Sequence, residues 1–182
     1  MKGSLYKRGA LYTISGRYFI MSTPISRKGF DRLMNELDQL KKERPLIAKA
    51  IQEAREEGDL RENAGYDAAR ERQGMAEARI SYIESRLPVL NVIDFSQLSS
   101  EKVIYGSRVR LYDLDTEEEK EYVLLGPDET DLVKGGISLD SPVARAILGK
   151  EVGDELTINV PRGRLNYEIV NIEFPGETMF KN

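Results

Sequence analysis

LMNELDQLKKERPLIAKAIQEAREEGDLRENAGYDAARERQGMAEARISYIESRLPVL, from Leu33 to Leu90, decides the fold of this 182-residue chain. Its apolar residues run outward at Leu33, Leu37, Leu40, Ile47, Ile51 and Ala54, alternately four and three apart if Arg44 takes one polar slot. They return on the same rule at Tyr66, Ala69, Gln73, Ala76, Ile80, Ile83, Leu87 and Leu90. A spacing of about 3.5 residues keeps one narrow stripe facing a partner helix. The two stripes are joined by a short segment around Gly58, and a short connection makes the helices antiparallel neighbours. The pattern therefore predicts a helical hairpin from about Ser26 to about Asn91. Each arm would be roughly 30 residues, or about 45 Å at 1.5 Å per residue. The stripe thins from Leu and Ile at the base to Ala near the turn, which keeps that end slender. Pro45 removes one backbone hydrogen bond and is expected to kink the first arm locally.

Beyond Asn91 the pattern changes to short β-like runs: Val103–Leu111, Glu121–Leu125, Glu155–Val160 and Leu165–Phe174. Turn formers separate them at Gly126-Pro127, Gly135-Gly136, Gly153-Asp154 and Arg162-Gly163. One helix is embedded: Ser141-Pro142 reads as N-cap and first-turn proline, and Gly149 as the stop. The fold class expected is α+β, an antiparallel helical hairpin followed by a small α+β domain. The expected division is an N-terminal extension without order at 1–21, the hairpin at 22–93 and a linker at 94–102. The small domain follows at 103–174, and a loose tail at 175–182.

Composition narrows the chemistry. Hydrophobic residues make up 40% and charged residues 32% of the chain, and the second figure favours long solvated surfaces. There is no Cys and hence no disulfide framework. There is no His either, which removes the usual general base, the imidazole metal ligand and the Ser-His pair together. Any metal would be a hard cation held by oxygen, such as magnesium. The net charge of −4 is uneven. Residues 1–20 hold four basic side chains and no acid, residues 21–92 thirteen of each, and residues 93–182 ten basic against eighteen acidic. So acidic a chain is not a general coat for nucleic acid. No apolar run approaches the roughly 18 residues of a membrane span, and the expected location is the cytoplasm. Lys7, Arg8 and Arg17 interrupt the apolar stretch that a secretory signal needs. The first twenty residues are expected to be a start-site extension, with Met21 opening the folded protein.

The chemistry concentrates where the hairpin turns. Glu56, Glu57, Asp59 and Glu62 place four acids within seven residues at the far end of the arms. Asp59 and Glu62 are three apart, which at a helix start puts both carboxylates on one side. Such a pair can share a hard cation and orient its water, though an exposed pair alone would hold magnesium weakly. The same spacing is also a capping box for the returning helix, with Asp59 as N-cap. The spacing leaves both readings open. Arg61 stands on the turn, and Arg70, Arg72 and Arg79 follow on the returning arm. They could hold RNA phosphate, or pair with Asp67, Glu71 and Glu77 as ordinary helix-flank charges.

The stretch EAREEGDLRENAGYDAARERQGMAEARI, Glu53 to Ile80, resembles the signature of the bacterial GreA/GreB transcript cleavage factors. A second block, ISLDSPVARAILGKEVGDE from Ile137 to Glu155, resembles that family's C-terminal signature. The likeness covers about residues 22–174. It implies an N-terminal coiled coil and an FKBP-like C-terminal domain. It further implies a monomer that inserts the hairpin into the secondary channel of RNA polymerase. There Asp59 and Glu62 would help hold a catalytic Mg2+ that belongs mainly to the polymerase, so that the polymerase cuts the 3′ segment of backtracked nascent RNA. Asn63 and Tyr66 match the adjacent motif positions and, with Arg61, would support the tip. Asp140, Ser141 and Pro142 match the motif that docks on the channel rim. The sequence departs from the family at Gly65, where an acid is common, and at Asp67, where a His is frequent. Gly65 would loosen the first turns of the second arm by up to ~1 kcal/mol relative to Ala.

Two rival classes are separable. An inhibitory relative would occupy the same channel without cleavage, which the intact Asp59 and Glu62 oppose. A peptidyl-prolyl isomerase would need a deep aromatic pocket, and residues 93–182 offer no Trp and few Tyr or Phe.

Overall fold

The computed structural model describes residues 13–14, 17–18, 22–56, 63–160 and 163–180. Within the N-terminal extension, expected to lack order, β1 (Thr13–Ile14) pairs with β2 (Arg17–Tyr18). Then come β3 (Thr23–Ser26), α1 (Arg27–Glu56), α2 (Ala64–Arg86) and β4 (Leu90–Ile93). The rest of the chain forms β5 (Arg108–Asp113), β6 (Glu119–Leu125), β7 (Gly136–Ser138), α3 (Pro142–Ile147), β8 (Glu155–Val160) and β9 (Gly163–Glu173). The molecule divides into two compact units, one of Phe30–Leu90 and the other of Met1–Gly29 with Asn91–Asn182. Residues 22–29, read from sequence as the foot of the hairpin, thus belong with the second unit. The reason is strand pairing, because β3 joins β4 in a two-stranded sheet.

The hairpin unit follows its heptads. Leu33, Leu37, Ile47, Ile51 and Ala54 of α1 are buried, as are Ala76, Ile80 and Ile83 of α2. Leu40, Tyr66 and Ala69 pack against the middle of this seam. α1 runs through Pro45 as one helix. The proline sits on the exposed side, where water can satisfy the carbonyl it leaves unpaired. Pro88 ends α2 by way of a short 3-10 turn over Leu87–Val89.

Cross-arm ion pairs flank the seam on both sides. Arg79 reaches Glu36 and Arg72 reaches Glu43, pairing g positions with g positions. On the other flank Lys41 meets Glu84, joining e positions, and Arg44 in its polar slot meets Glu77. Pairs of like heptad letters form only when the helices run in opposite directions, so these charges specify register as well as adding attraction. Arg79→Glu is expected to destabilise the hairpin by about 0.5–1 kcal/mol, given that the pair is partly exposed. Adding Glu36→Arg should recover most of the loss. A double-mutant cycle on thermal unfolding reads the coupling, and additive effects would dismiss the pair.

The second unit is built on a five-stranded sheet ordered β7-β6-β5-β9-β8. Neighbours are antiparallel except β6 and β7, which run parallel. The period of two sends side chains of one strand to opposite faces. Leu124 joins Val109, Leu111, Tyr167 and Ile169 beneath Ala144 and Ile147 of α3. Val123 and Leu125 join Phe95, Tyr105, Met179 and Phe180 in a separate core. That second core corrects two expectations. The segment read as a linker carries Phe95, buried and stacked on Tyr105 with ring centroids 5.6 Å apart. The tail read as loose forms a 3-10 turn over Gly176–Phe180 and buries Met179 and Phe180. Lys28 Nζ donates to the Phe180 carbonyl at 2.7 Å and lies over its ring. Two large apolar residues at a chain end are worth burying, and here a core accepts them.

At the β5–β6 turn, Asp113 accepts from the backbone N–H of Asp115 and Thr116 and from Lys120 Nζ. Lys120 holds the Asp113 carboxyl below the usual range. A carboxyl depressed by folding contributes stability above its ordinary pKa of about 4, which is lost as pH falls through the lower folded value. Asp113→Asn is therefore expected to flatten the acid limb of this unit's unfolding midpoint against pH. An unchanged limb would remove Asp113 as its source.

Candidate functional site

Asp59, Arg61 and Glu62 lie outside the described residues, but both ends of the segment that carries them are described. α1 is described as far as Glu56, which accepts from Gln52 Nε2 at 2.9 Å. α2 opens at Ala64 with Asn63 as its N-cap. The Asn63 side-chain oxygen accepts from the Tyr66 N–H at 3.1 Å, and its backbone oxygen accepts from the N–H of Tyr66 and Asp67. The cap of α2 is thus Asn63, whereas the capping box read from sequence placed it at Asp59; that box itself lies outside the described residues. The returning helix starts four residues later than that box requires, and Asn caps as well as Asp. Asp67 in the first turn complements the helix dipole.

Asn63 does more than cap. Its Nδ2 donates to the carbonyl oxygen of Ala54 at 2.9 Å, in the last turn of α1. One residue away, the Arg55 guanidinium lies 5.7 Å from the Tyr66 ring centroid, within cation–π range. Two contacts therefore cross between the arms at their end. Sequence reading missed Ala54 and Arg55 as partners. The heptad register offered a signal, because it places Ala54 and Tyr66 at the outermost seam positions. The Cβ of any residue replacing Gly65 would stand 3.1 Å from the capping oxygen of Asn63, so glycine gives that oxygen room.

The three arginines of the returning arm are spread along it. Arg70 donates to the neutral amide oxygen of Gln73 at 2.7 Å. Arg72 donates to Glu43, and Arg79 makes a two-pronged contact with Glu36 at 2.6 and 2.7 Å. These carboxylates come from the opposite arm. Of the acids expected as partners, Glu77 pairs instead with Arg44 and raises its pKa. Lys41 likewise holds the Glu84 carboxyl low.

In the second unit Asp140 and Pro142 are exposed at the start of α3, and Ser141 is half-buried. Ser141 Oγ accepts from the Ala144 N–H at 3.2 Å, making the N-cap read from sequence. Asp140 faces Arg145 at 3.6 Å. Among the described residues, no group of three acids is placed to hold a metal ion. Nor is any helix among them long and apolar enough to cross a membrane.

Comparison with known proteins adds to this geometry. Residues 23–92 match the family described as "Transcription elongation factor, N-terminal". Residues 98–174 match "Transcription elongation factor, GreA/GreB, C-term". The chain is 63% identical over 155 residues to the transcription elongation factor GreA of Nitratidesulfovibrio vulgaris, covering 85% of this chain and 97% of that protein. It is also 63% identical to the GreA of Solidesulfovibrio magneticus, covering 85% of this chain and 94% of that one. Among solved structures, it is similar to GreA factor homolog 1 of Thermus thermophilus at 27% identity. That match covers 84% of this chain and 99% of the other, with a TM-score of 0.40.

Proposed function

Because this chain belongs to the GreA/GreB family of transcription elongation factors, we propose that its hairpin end enters the secondary channel of RNA polymerase and there assists cleavage of the nascent RNA 3′ end. The chain is an elongation factor that acts with RNA polymerase and stimulates the polymerase's cleavage activity; it is not itself the enzyme. The observation that carries the finer reading is positional. Asp59 and Glu62 fall in the short connection between the last residue of α1 and the N-cap of α2, and Asn63 relieves them of capping α2.

A 30-residue helix spans about 45 Å, and a two-helix arm is slender enough to carry side chains deep into a narrow channel. The donor set suits magnesium, since Asp59 and Glu62 are hard oxygen ligands. They would hold it jointly with the polymerase, and the ion supplies phosphate polarisation and water activation there. In a site sheltered from bulk water, two added carboxylates would hold the cation and orient water more strongly than they would outside. Arg61 supports the tip, while Arg70, Arg72 and Arg79 are the candidates for RNA phosphate. Asp140, Ser141 and Pro142 dock on the channel rim. The factor acts as a monomer in the cytoplasm.

The test is a backtracked elongation complex with 5′-labelled RNA, with and without the protein. Shortened RNA that can be extended again supports the reading. Full-length RNA with slowed elongation would favour an inhibitory factor instead.

A further inference from the structure

We propose that Asn63 is a positioning residue for transcript cleavage, acting as a clamp that fixes the ends of both arms and so sets where the acidic connection starts and stops. The inference rests on the cleavage function proposed above. One amide performs two tasks with opposite chemistry. Its oxygen accepts from the Tyr66 N–H and starts α2, while its nitrogen donates to the Ala54 carbonyl and ties down α1.

Capping alone does not call for an amide. Ser and Asp cap as well as Asn, and both lack the N–H donor that reaches α1 in this geometry. The second bond joins the two arms directly: the carbonyl it reaches lies on α1, two residues before the last described residue of that helix. Ala54 and Asn63 lie on either side of Asp59 and Glu62 in the sequence, and tying two points of a chain together reduces the conformational freedom available between them. The Arg55–Tyr66 contact, adjacent to both anchor points, restrains the same two backbones. Catalysis by positioned groups is steep in geometry, and a misplacement of about 1 Å can cost roughly a hundredfold in rate. An alignment device at this place therefore affects rate more than it affects binding or fold.

The test compares wild type, Asn63→Ser and Asn63→Ala in the full-length protein. Three quantities are measured: helicity by circular dichroism, the factor concentration giving half-maximal cleavage of a backtracked complex, and the cleavage rate at saturating factor. Serine keeps the cap and loses the cross-arm donor. It is expected to leave helicity and half-saturation unchanged and to lower the saturated rate by about ten- to a hundredfold. Alanine loses both bonds and is expected to lower helicity as well. A serine variant that cleaves at the wild-type rate overturns the proposal. So does one whose rate falls only in step with helicity or half-saturation, because that is a structural or binding role. Wild-type protein that gives no cleavage would instead remove the function on which the inference rests.

Discussion

Asp59→Ala is expected to lower stimulated RNA cleavage by roughly two to three orders of magnitude at saturating protein, the scale seen when one preorganised charge-stabilising group is removed from a sheltered site. Glu62→Ala should do the same, and the double variant little more, because groups that act as a unit are not additive. The fold should hardly notice. Had Asp59 been the N-cap of the returning helix, its loss would cost about 1 kcal/mol. With Asn63 in that role, the expected cost falls within about 0.5 kcal/mol, the ordinary range for surface substitutions. Affinity for polymerase should also stay near wild type, as measured by competition with labelled wild-type protein. Asp59→Asn separates charge from shape: it keeps the size and one oxygen, and is expected to fall nearly as far as alanine. If affinity and cleavage drop together, the acids bind rather than assist, and the catalytic assignment goes.

The hairpin was legible because its physics is local and periodic. Leu33, Leu37, Ile47, Ile51, Ala76, Ile80 and Ile83 are all buried where the alternating spacing puts them. Ser141-Pro142 and Gly149 bounded a real helix for the same reason, since a cap, a first-turn proline and a glycine at φ +79° act on adjacent residues. What sequence could not show was long-range pairing. β7 is three residues long and exists because β6 lies beside it. Phe95 and Phe180 looked like parts of a linker and a tail until a shared core brought them together. Asp59 looked like a cap because spacing fixes only which residues can cap; α2 takes its cap from Asn63, whose side chain also reaches the opposite arm. The arginines were readable as charges, but their partners Glu36 and Glu43 come from across the seam.

The largest expected effect on stability belongs to a residue with no place in the chemistry. Glu129 is fully buried. Its Oε2 accepts from the Ser26 N–H at 2.9 Å and from Ser26 Oγ at 2.5 Å. Its Oε1 accepts from Tyr105 OH at 2.6 Å and from the Gly126 N–H at 3.0 Å. Ser26 Oγ in turn accepts from the Gly29 N–H at 2.8 Å, so the network ties β3 and the first turn of α1 to the β6–β7 connection. Space around it is tight: a Cβ on Gly29 would stand 2.5 Å from Glu129 Oε2, and one on Gly126 would stand 2.5 Å from the Pro24 carbonyl oxygen. Glu129→Ala strands several buried donors at about 1–3 kcal/mol each and opens a cavity, so a loss of about 4–6 kcal/mol is expected for this unit. Against a typical domain stability of 5–15 kcal/mol, that is enough to leave it partly unfolded at 37 °C. Glu129→Gln tests whether the hydrogen bonds or the volume matter. It fills the same space but turns an NH2 group toward one of the two donor pairs, so it should still lose about half as much. Denaturant unfolding of the three proteins decides it. A Gln variant as stable as wild type would mean that Glu129 only fills space, whereas a Gln variant nearly as weak as Ala would show that the unit is closed by acceptors the amide cannot replace.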